Sequence, residues 1–85
     1  MTVTVKLRFF ASLREKLGEG EALALPEGST VATAREALLA RGGIHAEALG
    51  RGRAVRAALN QKMSAESAAL TDGDELAFFP PVTGG

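Results

Sequence analysis

Thr71-Asp72-Gly73-Asp74-Glu75-Leu76-Ala77-Phe78-Phe79-Pro80-Pro81-Val82-Thr83-Gly84-Gly85 is the stretch on which the reading of this chain turns. Asp-Gly-Asp after a threonine is a strong turn signal. The apolar run Glu75–Phe79 that follows reads as a strand, and two prolines stop it. Proline fixes φ near −65°, and Pro81 disfavours a helical conformation at Pro80. Residues Pro80 to Gly85 are therefore expected to leave the body as an extended arm, about 20 Å long at full stretch. Glycine has no Cβ, so Gly84 and Gly85 could pass through a channel too narrow for other residues. The arm ends in an unhindered carboxylate, and this predicts a tail made for insertion into another protein's active site.

Working outward, the opposite end of the chain supplies the natural neighbour for that last strand. Val3, Val5, Leu7 and Phe9 alternate with Thr2, Thr4, Lys6 and Arg8, a period-two pattern that predicts a half-buried first strand. Ala11 to Leu17 reads as a short helix stopped by Gly18. Ala22 to Leu25, closed by Pro26, reads as a second strand antiparallel to the first. Gly28-Ser29-Thr30 offers a turn and an N-cap for the main helix, whose buried face is Val31, Ala34 and Leu38. Gly42-Gly43 ends that helix, and Ile44 to Leu49 adds a further helical turn. Val55, Ala57 and Leu59 alternate as a third strand, and the residues between it and Thr71 read as irregular. The expectation is β-β-α-β-β: a two-layer α+β domain over residues 1–79 with an 80–85 tail, its first and last strands paired at the centre.

Eighty-five residues suffice for one small domain, and 46% hydrophobic content supports a real core. Ten basic and ten acidic residues balance, so no global attraction draws the chain to nucleic acid or to an anionic membrane. The acidic residues Glu66, Asp72, Asp74 and Glu75 gather late in the sequence and suggest a negatively charged end. With no cysteine there is neither a disulfide nor a thiolate metal site, nor an internal thiol to capture an activated C-terminus. His45 is the only histidine and reads as an exposed loop residue, so no metal site is expected. Ser12, Ser29, Ser64 and Ser67 have no base partner, and Gly50-Arg51-Gly52-Arg53 lacks the interleaved aromatics of an RNA-binding segment. The absence of a leader or spanning segment predicts a soluble, cytoplasmic protein.

Strand alternation also predicts a surface. If Leu76 and Phe78 point into the core, Phe79 points out. Phe10 falls outside the buried set of the first strand, at the strand-to-helix corner. With the first and last strands adjacent, Phe10 and Phe79 come together near the root of the tail, and Met63 is expected to join them. Such an apolar patch is where a docking partner would grip. The alternative is a small secondary core closed by Phe10 or Phe79 beneath the first helix.

Three segments carry a family resemblance: Leu7-Arg8-Phe9-Phe10-Ala11-Ser12-Leu13-Arg14-Glu15, Ala57-Ala58-Leu59-Asn60-Gln61, and Leu70 through the diglycine. Across its whole length the chain resembles the small subunits of molybdopterin synthase, a family of ubiquitin-like sulfur carriers with the β-grasp fold. The resemblance implies that a ubiquitin-activating-type adenylyltransferase adenylates the Gly85 carboxylate with ATP. A desulfurase or rhodanese-type protein then supplies sulfur, giving a thiocarboxylate on Gly85. The tail, from Pro80 through Pro81, Val82, Thr83 and Gly84, carries that sulfur into the large subunit, which uses it on cyclic pyranopterin monophosphate. A heterotetramer with the large subunit, no permanently bound cofactor and no catalysis by the carrier alone are implied as well. Related carriers serve thiamine thiazole synthesis or tRNA 2-thiolation with the same terminal chemistry, and a protein modifier conjugated through Gly85 is a further alternative.

Overall fold

The period-two pattern of the N-terminal strand is realised without interruption. In β1 (Thr2–Phe9) Val3, Val5, Leu7 and Phe9 are buried and the residues between them exposed. The computed structural model describes residues 1–50 and 55–80. Chain order continues with α1 (Ala11–Leu17), β2 (Ala22–Pro26), α2 (Val31–Leu39), α3 (Gly43–Leu49), β3 (Arg56–Leu59), β4 (Lys62–Ser64) and β5 (Glu75–Phe79). The strands form one mixed sheet in the order β2-β1-β5-β3-β4. As expected, the first and last strands pair at its centre, and they run parallel.

Register explains the core. Leu7 sits opposite Leu76 and Phe9 opposite Phe78, so four large side chains enter the same face. The Phe9 and Phe78 rings stack there with centroids 6.3 Å apart. Ala57, opposite Phe78 on the other side, is small enough to leave room for that ring. Helix α2 covers this face with Val31, Ala34 and Leu38, all fully buried. Its N-terminus is fixed by Thr30, whose Oγ1 accepts from the Thr33 amide while the Thr30 amide donates to Thr33 Oγ1. That reciprocal pair satisfies donors that would otherwise be orphaned at the first turn.

One strand was not expected. The stretch after Leu59 forms β4, joined to β3 by the two-residue turn Asn60-Gln61 with φ of 51° and 70°. Both residues are left-handed, as a tight hairpin requires. Three residues with a single apolar side chain carry no period, and Asn-Gln lacks the glycine that marks such turns, so the hairpin left no sequence signal. The helical turn read from Ile44 to Leu49 is α3, with Gly42 as its N-cap at φ 70°. His45 lies in that helix and is half-buried, with its Nε2 enclosed, rather than on an exposed loop. Gly20 has a steric reason for its identity: a Cβ there would sit 1.9 Å from the Leu7 carbonyl oxygen. The chain after α1 must lie that close, because Leu7 and Glu21 exchange backbone hydrogen bonds.

Candidate functional site

The sheet's second face, away from α2, holds the site. Alternation turns Arg8, Ala58, Ala77 and Phe79 outward, and the pairings set Arg8, Ala77 and Ala58 in one row, with Phe79 two residues further along β5. Ala77 is 5% exposed and yet stands outside the main core. It is the floor of a shallow pocket of about 480 Å³, walled by Phe10, Phe79 and Pro80. Phe10 is 40% exposed and Phe79 half-buried, and neither belongs to the core cluster. The alternative of a secondary core under α1 is therefore not what forms. The Phe10 amide donates to the Phe78 carbonyl at 3.2 Å, which fastens the end of β5 to the strand-to-helix corner. The tail thus departs from a held root, at a half-buried Pro80 on the pocket wall.

Met63 pairs with Ala58 across β3 and β4 and so shares this face. It is 61% exposed and lines a separate hollow with Arg56 and Glu66 instead of entering the Phe10–Phe79 pocket. Only two of the three expected patch residues are brought together. The remaining tail residues, Pro81, Val82, Thr83, Gly84 and Gly85, lie outside the described residues, as does Arg51–Ala54.

The acidic end is mostly committed inside the fold. Asp72 Oδ1 accepts from the Thr4 amide at 2.7 Å. Asp74 accepts from the Thr71 amide and hydroxyl and from Asn60 Nδ2 at 2.8, 3.0 and 2.9 Å. Asn60 Oδ1 in turn accepts from the Glu75 amide. Glu66 binds Arg35 at 2.7 Å, and Glu75 lies 3.8 Å from Arg8. The hydrogen bond from Asn60, helped by that from the Thr71 amide, holds the Asp74 carboxyl below its ordinary value. A lowered folded-state pKa stabilises the fold above the unfolded value, about 3.9, and that contribution fades as pH falls through the folded value. Urea midpoints of the wild-type chain are therefore expected to fall below about pH 4. In Asp74→Asn that part of the fall should be missing, with the midpoint already lower at neutral pH. Parallel pH profiles of the two proteins would contradict this role.

A five-stranded mixed sheet on one main helix, with its central C-terminal strand feeding a diglycine tail, defines a ubiquitin-like β-grasp protein. The chain belongs to the ThiS family, whose model matches residues 7–85. It is 42% identical over 81 residues to the molybdopterin synthase sulfur carrier subunit of Escherichia coli, covering 95% of this chain and 99% of that one. The crystal structure of the small archaeal modifier protein SAMP1 from Haloferax volcanii superposes with a TM-score of 0.78 at 29% identity, over 96% of this chain and 99% of that one. A chain in the protein–protein complex of subunits 1 and 2 of the molybdopterin-converting factor from Helicobacter pylori shares the fold, with a TM-score of 0.66 at 24% identity over 98% and 100% of the two chains.

One residue that matters to the site's surroundings is absent from the sequence reading. Arg35 is 8% exposed on the inner face of α2. Its Nε donates to the Leu49 carbonyl and its Nη2 to that of Gly50, at 2.9 and 3.0 Å. The spacing Val31-Ala34-Arg35-Leu38 puts Arg35 on the apolar stripe, and that was the available signal.

Proposed function

We propose that this chain is the sulfur-carrying small subunit of a molybdopterin synthase, with Gly85 as the reacting terminus. The match to the Escherichia coli sulfur carrier subunit over nearly the whole of both chains is the observation that carries this reading. On it, the Gly85 carboxylate attacks ATP in an activating enzyme and pyrophosphate leaves. A carboxylate is a poor electrophile, and the acyl adenylate gives it a good leaving group. The terminal sulfur of a persulfide on a desulfurase or rhodanese-type donor displaces AMP to give an acyl disulfide. A second thiol cleaves it, leaving the thiocarboxylate on Gly85 and a disulfide on the donor side. That soft nucleophile attacks cyclic pyranopterin monophosphate within the large subunit, and water later restores the carboxylate. Two such transfers complete a dithiolene.

The carrier contributes position and the large subunit the acid–base groups, so the carrier alone has no turnover and needs no resident cofactor. Docking falls to the outer sheet face, where Phe10 and Phe79 flank the pocket at the tail's root. A complex of subunits 1 and 2 in the Helicobacter pylori factor supports a large-subunit partner, and a heterotetramer is the assembly we expect. ATP-dependent activation implies work in the cytoplasm. Conjugation to other proteins is the second reading, favoured by the likeness to SAMP1. Intact-mass and peptide spectrometry on chain recovered from its own cells separates them. The expected result is a fraction with one terminal oxygen replaced by sulfur. Gly-Gly remnants on lysines of other proteins, without that species, would favour the modifier.

A further inference from the structure

We propose that Arg8 is a specificity residue of the docking face, reading a carboxylate on the large subunit that covers it. This rests on the docking role assigned above to the Phe10–Phe79 pocket. Arg8 projects from β1 beside a floor made of Ala77 and Ala58, and among the described residues it is the one cation lining the pocket. Its guanidinium lies 5.6 Å from the centroid of the Phe10 ring, within cation–π range. Among the described residues the nearest carboxylate oxygen, on Glu75, is 3.8 Å away, too far for a hydrogen bond. Half of the Arg8 side chain faces solvent, so its donors are met by water in the free carrier.

A partner seated in the pocket removes that water. A guanidinium stripped of solvent and left without an acceptor opposes binding strongly, whereas one met by a carboxylate in a two-point contact favours it. Glu75 offsets charge without supplying that contact. The occupant best matched to the pocket is therefore a large-subunit segment with an apolar side chain over Ala77 and an aspartate or glutamate beside it. The pocket is also held in shape to read position as well as charge. Two non-glycine residues on its rim, Ala11 at φ 54° and Gln61 at φ 70°, are left-handed. Such conformations persist only where the surroundings impose them. Here Asn60, bonded to Asp74 and Glu75, pins the turn that carries Gln61. The Phe10 ring gives the planar guanidinium a platform that an ammonium would use less well.

The test is titration calorimetry of the full-length carrier with the large subunit from the same organism, beside melting curves for each variant. Arg8→Gln is expected to weaken binding about thirtyfold or more at unchanged melting temperature, with Arg8→Glu weaker still and Arg8→Lys only partly restored. A lysine substituted for one acidic residue of the large subunit should recover binding of Arg8→Glu. Phe79→Ala separates the two levels of the argument. If Phe79→Ala weakens binding and Arg8→Gln binds as well as wild type or better, the specificity role of Arg8 is overturned and the docking face stands. If neither change alters affinity, the docking face itself is wrong.

Discussion

Deleting Gly85 is expected to abolish sulfur transfer and to leave the melting temperature of the domain unchanged. The functional half follows from chemistry: truncation moves the terminal carboxylate one residue back along the arm, short of the reach that adenylation and transfer require. Appending a residue misplaces it outward, with the same result. The stability half follows from packing. Among the described residues the core cluster runs from Val3 to Phe78 and the tail root is fastened by the Phe10–Phe78 backbone bond, so the body of the domain is expected to survive the deletion. Pyrophosphate exchange with the activating enzyme, a pterin-conversion assay and a thermal melt read the three parts separately. Conversion retained by the truncated carrier would sink the mechanism. A fall in melting temperature would show that the terminus belongs to the fold.

The second large effect is on stability. Arg35→Ala is expected to destabilise the domain by about 2–4 kcal/mol. In a domain of this size that lowers the melting temperature by about 10 °C or more. The Arg35 side chain, 10% exposed, ties α2 to the end of α3 and to Glu66. The carbonyls of Leu49 and Gly50 close α3, where no intrahelical donor remains, and Glu66 precedes the chain's return to the sheet. Alanine leaves those acceptors unmet and a void against α2. Arg35→Lys should fall between, because one ammonium cannot reach acceptors in three directions. The loss should not be mainly that of an ion pair, since Glu66 is 47% exposed. Glu66→Gln is therefore expected to cost well under half as much. Equal costs for the two changes would assign the effect to the ion pair and remove Arg35 from its role in closing α3.

Much of this architecture was readable because it is written in short-range patterns. A strand with one buried face must alternate, and β1 does so from Val3 to Phe9. A helix start needs an acceptor for its orphaned amides, and Thr30 stands where α2 begins. The β4 hairpin escaped because its left-handed turn, Asn60-Gln61, is held from outside: Asn60 bonds to Asp74 and Glu75, residues remote in sequence. The acidic turn is legible as a turn, but the duty of its carboxylates is not, for the same reason. Its carboxylates look free for a partner in sequence, and in the fold Asp72 and Asp74 serve backbone amides of Thr4 and Thr71.

The candidate site divides along the same line. By itself the sequence supplies the expectation of an extended tail, because a proline ring restricts its own φ and a glycine lacks a Cβ, and neither property needs a tertiary contact. It also determined that Phe10 and Phe79 face outward, since alternation is local. Only the tertiary structure decided that Ala77 is a buried floor, that Arg8 stands over Phe10, and that Met63 lines a different hollow. Those facts depend on the parallel pairing of β1 with β5, which closes nearly the whole length of the chain. No local pattern encodes the register of so distant a pair, because it is set by the packing of Leu7, Phe9, Leu76 and Phe78 on the opposite face.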